Sequence, residues 1–190
     1  MDWDHAVEFE QLLFFRHGET DWNRERRVQG QVNVPLNARG LMQARRAGEM
    51  LRGKGIQTIC SSPLDRALIS AEIVAAHIHV PIVIIDALKE CRFGVQEGSL
   101  KGVWYEAWRH GITPDGAECF AGFLDRALEG LNQALARPGP VLIVSHGGVY
   151  WAIEKFAGIE RGGDVPNGVP LRHDPPSVPL LSWRAQPLAA

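Results

Sequence analysis

The sequence predicts an α/β fold, a three-layer α/β/α sandwich around a mainly parallel sheet. Three observations predict it. Four short aliphatic runs alternate with amphipathic helical patterns, and strand–helix–strand units close by right-handed crossovers that leave neighbouring strands parallel. The runs are apolar at consecutive positions, the pattern of strands covered on both faces. A length of 190 residues suits one domain, which can bury about 70% of its unfolded surface.

The elements follow in order. Residues 1–10 read as a loose lead-in. Gln11–Phe15 is the first strand, followed by a polar loop from Gly18 to Pro35. Asn37 is the N-cap of a helix with Leu41, Ala44, Gly48 and Leu51 on one face, closed by Gly53 and Gly55. Ile56–Cys60 is the second strand. Ser62-Pro63-Leu64-Asp65 supplies an N-cap, a proline at the first helical position and an early acid, opening a helix that turns Leu64, Leu68, Ala71 and Val74 inward. Pro81–Ile85 is the third strand. Residues 90–116 are Gly-rich and irregular, with a short helix at Trp104–Arg109. Cys119–Ala136 is an amphipathic helix on Phe120, Phe123, Leu124, Leu128, Leu131 and Leu135. Val141–Val144 is the fourth strand and Gly147–Ala157 the helix after it. Residues 159–190 form a Pro- and Gly-rich tail with one edge strand near Leu180–Trp183, within a single domain spanning 1–190.

Composition narrows the function. Twenty Lys and Arg against 22 Asp and Glu leave a net charge of −2, unlike the basic domain of a nucleic-acid binder. No aliphatic run is long enough to span a bilayer. Acidic Asp2, Asp4, Glu8 and Glu10 stand where an export signal carries Lys or Arg. Three scattered cysteines, Cys60, Cys91 and Cys119, suit a reducing cytoplasm better than a disulfide framework. Sixteen of the basic residues are Arg. Arg24, Arg26, Arg27, Arg45 and Arg46 are mostly assigned to the solvent face.

In parallel sheets ligands bind beyond the carboxyl ends of the strands. Three strands there run into Arg16-His17-Gly18-Glu19-Thr20, Ser61-Ser62-Pro63-Leu64-Asp65-Arg66 and Ser145-His146-Gly147-Gly148. Two histidines and two arginines thus converge on one edge, and two of the turns open helices whose N-termini favour anions. Such a cluster suits a phosphoryl group. Arg neutralises its oxygens, and a neutral imidazole can attack phosphorus and carry the phosphate covalently. A single histidine at a strand end, or Gly147-Gly148 alone, would be ordinary packing or a tight turn; the specificity lies in the three together.

Arg16-His17-Gly18-Glu19-Thr20 with Trp22-Asn23 resembles the RHGE signature of the histidine phosphatase superfamily, in its phosphoglycerate mutase-like branch. The resemblance continues through Pro35-Leu36-Asn37, Gly40, Gln43-Ala44, Ser61 to Ala67, Leu88, Glu90, Phe93-Gly94, Glu97-Gly98, Gly116, Glu118 and Ser145 to Gly148, over roughly residues 12–152. It implies the phosphoglycerate mutase-like fold. It gives His17 the part of the nucleophile that becomes phosphohistidine. Arg16, Arg66 and His146 take the phosphate clamp, Asn23 a contact to the same phosphate, Gly147 a place beside it, and Glu90 the proton donor. Glu97 is the second acid and reads as a loop-fixing residue.

The sequence departs from the family pattern at three places. Gln96 stands where many of the phosphatases have Trp. Cys91 follows Glu90 where the mutases tend to have a carboxylate-holding Arg. Only Ser99 to Asp115, with Lys101 and Arg109, replaces a longer basic insertion. Trp104, Tyr105 and Trp108 in that segment either line a pocket for a larger, partly apolar group or close it against the core. The expectation is a phosphatase hydrolysing a small-molecule phosphomonoester through phosphohistidine. The alternatives are a cofactor-dependent phosphoglycerate mutase and a catalytically inactive phosphate-binding member. No cofactor and no metal are expected. The partner is a small phosphorylated metabolite, with no nucleic acid and no membrane, in the cytoplasm; natural substrate and oligomeric state stay open. Two rival chemistries are a thiolate phosphatase on Cys60 and Arg66, opposed by Pro63, which lacks the amide a phosphate loop needs, and a zinc enzyme using His77 and His79 with His17 or His146. A serine hydrolase at Ser145 lacks the G-x-S-x-G elbow.

Overall fold

Alternate residues of the first apolar run face opposite layers. The structure, a computed structural model, describes residues 12–159, 164–174 and 183–188. In strand β1 (Leu12–Arg16), Leu12 and Phe14 join one buried cluster, while Leu13 and Phe15 join the other. A strand with two buried faces has no place for polar alternation, which is why the run is continuously apolar.

Three more strands run parallel to β1: β2 (Thr58–Ser61), β3 (Ile82–Ile84) and β4 (Val141–Ser145). Two further strands, β5 (Pro170–Asp174) and β6 (Arg184–Pro187), are antiparallel. The order is β3-β2-β4-β1-β5-β6. Helices α2 (Ala38–Leu51) and α3 (Asp65–Ile78) cover one face through Ala47, Leu51, Ala67, Ala71 and Val74. The other face carries α5 (Phe120–Leu135) and α6 (Gly147–Phe156), through residues such as Phe123, Leu131, Val149 and Ile153. Each large side chain so buried contributes about 1.5–3 kcal/mol. The expected three-layer, mainly parallel sandwich is the observed one. Among the described residues no helix is long and apolar enough to cross a membrane.

The helix caps follow local chemistry, with one correction. Asn37 accepts from the Gly40 amide at 2.9 Å, as its position predicts. Ser62 is not the cap of α3. That helix starts three residues later with Leu64 in the cap position, and Ser62 Oγ accepts from the Leu64 amide at 3.3 Å. The polar loop after β1 contains a one-turn helix, α1 (Asp21–Arg24), closed by a reciprocal Thr20–Asn23 capping box. A short helix α4 (Val103–Arg109) lies where one was expected.

The chain beyond 159 differs from a plain tail. β5 pairs residue for residue with β1, from Leu12↔His173 to Phe15↔Pro170. Its mixed sequence, Pro-Leu-Arg-His-Asp, hides this from periodicity. The expected edge strand near Leu180–Trp183 falls largely outside the described residues; the edge strand observed is β6. The lead-in 1–10 also lies outside them.

Candidate active site

β1 and β4 are adjacent and in register, Arg16 opposite Ser145. The next residues, His17 and His146, are therefore brought together at the carboxyl edge, with ring centroids 5.2 Å apart. The His17 amide donates to the Ser145 carbonyl at 3.0 Å, extending the ladder by one bond. His17 is buried. Its Nδ1 lies 2.7 Å from the Gly18 carbonyl, an acceptor only, so Nδ1 carries the proton and Nε2 the lone pair. Arg66 Nε donates to that Nε2 at 3.2 Å.

Burial first, and then the Arg66 and Arg16 guanidiniums, hold the His17 pKa well below the ordinary imidazole value; the Gly18 carbonyl opposes this without reversing it. His146 is lowered in the same way by burial, Arg66, His17 and Arg16. Both rings are therefore neutral near pH 7, the state in which an imidazole is nucleophilic. His146 occupies the N-cap position of α6, without a side-chain capping bond. Its Nε2 meets Ser62 Oγ at 2.8 Å, while its buried Nδ1 has no protein partner among the described residues.

The two arginines are anchored differently. Arg66 is fully buried and also donates to the Val32 and Gly30 carbonyls at 2.9 and 2.7 Å. Burial brings its pKa down to about 10, which leaves it charged at neutral pH. Arg16 donates to the Val165 carbonyl at 2.6 Å, with its buried Nε unpartnered among the described residues. Burial lowers its pKa too, against the attraction of Glu90 and Asp164.

A pocket holding about 70 Å3 opens above them, lined by Arg16, His17, Asn23, Arg66, Glu90 and Gly147, among others. Six of the seven expected site residues thus share one wall; His146 sits behind it, against His17. Asn23 accepts from the Thr20 amide through Oδ1 at 3.1 Å. The Glu90 carboxylate accepts from the Cys91 and Gly148 amides at 3.0 and 3.1 Å. Gly148 makes this approach feasible, because a Cβ there would stand 2.2 Å from Glu90 Oε1. Glu97 fixes its loop as read, accepting from the Gln31 and Phe93 amides at 2.9 and 3.1 Å.

Arg26 and Arg27 are exposed, as assigned to the solvent face, and they also line the mouth of the site. Of the loop aromatics only Tyr105 lines the pocket. Trp108 is wholly buried and donates to the Glu118 carbonyl, and Trp104 packs edge-on against Phe93. Arg109 lies over the Phe120 and Trp151 rings and pairs with Glu106. Cys60 is buried, which pushes its thiol up to about 11 and away from thiolate chemistry. His77, at the end of α3, is about 16 Å along the axis from Arg66 at 1.5 Å per residue, with its Nδ1 occupied by the Ile73 carbonyl, and His79 is the C-cap beyond it.

Sequence reasoning missed Asn167 and Arg126. Asn167 Nδ2 donates to the His17 carbonyl at 3.0 Å and to Asn23 Oδ1 at 3.3 Å, tying the turn at His17 to the first loop. It lies in a stretch with no helical or strand period, so nothing local marks it. Arg126 was assigned no role; its position on the polar side of α5 looks like ordinary solvation.

Comparison with known proteins agrees with this geometry. Residues 12–185 match the family model of the histidine phosphatase superfamily, branch 1. A Bacillus subtilis protein named uncharacterized phosphatase PhoE is 40% identical over 145 residues, 75% of this chain and 74% of its own. A Proteus mirabilis protein named probable phosphoglycerate mutase GpmB is 38% identical over 149 residues, 72% of this chain and 69% of its own. Among solved structures, a putative alpha-ribazole-5'-P phosphatase from Escherichia coli superimposes with a TM-score of 0.78 at 26% identity, covering 96% of this chain and 98% of its own. With the turn at His17, both arginine anchors and both histidines inside the matched span, the chain belongs to the histidine phosphatase superfamily.

Proposed function

We propose that the protein hydrolyses a small phosphomonoester by transferring its phosphoryl group to His17 Nε2 and then to water. One observation carries this reading. His17 is held as the Nδ1–H tautomer by Gly18 and kept neutral by burial, with its lone pair directed at the arginine cluster. On substrate binding a phosphoryl oxygen replaces that lone pair as the acceptor of Arg66 Nε–H, which frees Nε2 for attack. The P–N bond forms as the ester P–O bond breaks, and Glu90 gives the leaving alkoxide its proton. Water, deprotonated by the same carboxylate, then attacks phospho-His17. Arg16, Arg66 and the N-terminus of α6 supply the positive charge for the five-coordinate transition state.

Hydrolysis is favoured over mutase action by the surroundings of Glu90. Cys91, at the place of a carboxylate-holding cation, is wholly buried and contributes only its amide. Arg109 is committed to the aromatic cluster. The test is acid-sensitive trapping. Quenching turnover of p-nitrophenyl phosphate in alkali should leave phosphate on the peptide bearing His17, labile on acidification and missing from His17→Ala. His17→Ala should also lose at least about a thousandfold in kcat; near-normal turnover in that variant would end the reading.

A further inference from the structure

Beyond the inner pocket lies a wider chamber of about 560 Å3. The two share Arg16, Asn23, Arg27, Lys101 and Asp164 as lining, so they are continuous. The chamber adds Arg26 to that wall. Three cations therefore face it away from the phosphoryl site, and they differ in how they are committed. Lys101 lies 3.4 Å from Asp164, which neutralises it. Arg27 is fixed in place: Nε donates to the Gly98 carbonyl at 2.6 Å, its guanidinium lies 4.6 Å over the Trp22 ring, and Glu25 is 3.5 Å away. Arg26 has no side-chain hydrogen bond or ion pair among the described residues, whereas its neighbour Arg24 pairs with Asp21 at 3.0 Å.

Arg26 is also held in an unusual backbone conformation. Its φ is +60°, in the left-handed region, where its amide donates to the Asn23 carbonyl at 3.0 Å. A side chain with a Cβ costs on the order of 1 kcal/mol there, and glycine or asparagine would fit better. Arg26 is thus an exposed cation without an ion pair among the described residues, set by its left-handed backbone on the wall of a chamber that opens into the catalytic pocket, where it can meet an anionic ligand.

We propose that Arg26 and Arg27 form a second anion subsite, so that the preferred substrate is a phosphomonoester whose alcohol portion carries another anionic group, a carboxylate or a second phosphate. This rests on the hydrolase reading for the place of the first phosphate and extends it to the leaving group. Arg27, already pinned, offers its outer N–H groups in a fixed direction; Arg26 supplies the uncompensated charge and reaches the ligand without first breaking an ion pair.

The test is binding of non-hydrolysable probes, read by calorimetry at low salt. Propylphosphonate carries the phosphoryl mimic alone, 3-phosphonopropanoate adds a carboxylate, and propane-1,3-diphosphonate adds a second phosphonate. The doubly anionic probes should bind at least about tenfold more tightly than propylphosphonate, with an advantage that shrinks as salt rises. Arg26→Asn removes the charge and relieves the left-handed strain, so the fold is kept; it should bring the advantage within about threefold. Arg45→Gln, an equal charge change on the exposed side of α2, should leave the advantage unchanged. The arm that binds tighter identifies carboxylate or phosphate. Equal affinity of all three probes in the unmodified protein, or an advantage that survives Arg26→Asn, overturns the subsite. If the advantage appears while p-nitrophenyl phosphate is not turned over, the subsite stands and the hydrolase reading falls.

Discussion

Arg126 and Glu118 meet in a two-point ion pair, Nε to one carboxylate oxygen and a terminal nitrogen to the other, each at 2.8 Å. The same guanidinium donates to the carbonyls of Ala87, Lys89 and Glu90 at 2.9, 2.9 and 3.2 Å. Glu118 in turn accepts from the Arg92 amide at 2.8 Å. Burial alone would raise the Glu118 carboxyl, but Arg126 and the Arg92 amide hold it below its ordinary value. The pair thus grips the main chain on both sides of Glu90. Arg126→Met should destabilise the protein by about 1–3 kcal/mol, because a half-buried carboxylate and three carbonyls lose their donor. Acting through Glu90, it should also slow alkyl phosphates about tenfold or more while affecting p-nitrophenyl phosphate less. Arg126→Lys should recover part of the alkyl rate. An equal loss on both substrates would make the pair merely structural.

The two candidate acids separate by leaving group. An alkoxide needs a proton to depart and p-nitrophenolate does not. Glu90→Gln should cut alkyl phosphate turnover about a hundred- to ten-thousandfold, spare p-nitrophenyl phosphate by comparison, and remove the basic limb of the pH–rate profile. Glu97→Gln should loosen the loop that it braces and lower both rates alike. Leaving-group dependence in Glu97→Gln, and none in Glu90→Gln, would reverse the assignment.

Acid should unfold this protein early. His17, His146 and His173 are all buried, and burial is the first cause of a lowered pKa in each; His173 is brought to about 4. An unfolded histidine takes up its proton near pH 6.5. Below that pH the unfolded chain binds protons that the folded chain refuses, so stability falls with pH, by at most about 1.4 kcal/mol per unit for each histidine. The contribution is fully present above 6.5 and, for His173, is lost between 6.5 and about 4. Chemical denaturation at pH 7.5 and 5.0 should show the decline. His173→Gln, which keeps a polar partner 3.1 Å from Tyr150 Oη, should flatten it; an unchanged slope would mean that the ring titrates alike in both states.

The reaction partition follows from what stands beside Glu90, where Cys91 is buried and Arg109 is committed to the aromatic cluster. Interconversion of 2- and 3-phosphoglycerate should be slight beside phosphate release from several monoesters, with or without a bisphosphoglycerate primer. Mutase turnover of about ten per second or more, usual for a dedicated enzyme, would refute the preference for hydrolysis.

Much of this architecture is legible in the chain, for identifiable reasons. β1 and β4 are read correctly because strands buried on both faces admit only apolar residues, and α2 is placed by the Asn37 cap and its inward Ala and Leu. The convergence of Arg16, His17, Arg66 and His146 follows from parallel topology alone. β5 is not legible, since a short strand of Pro, Arg, His and Asp takes its place from its partner β1 and not from its own pattern. Ser62 misleads because its hydroxyl serves the Leu64 amide and His146, work that a linear motif cannot distinguish from capping. Arg26 and Arg27 read as solvated charge and are exposed, but only the fold shows that they stand on the chamber wall. Asn167 reaches His17 across 150 positions, and no local signal spans such a distance.

The stereochemical course at phosphorus tests covalent transfer most directly. A phosphomonoester made chiral with oxygen isotopes is hydrolysed, and the configuration of the released phosphate is determined. Transfer to His17 and then to water inverts phosphorus twice, so the account predicts overall retention. Net inversion would mean that water attacks the substrate in one step, and would contradict a phosphohistidine at residue 17.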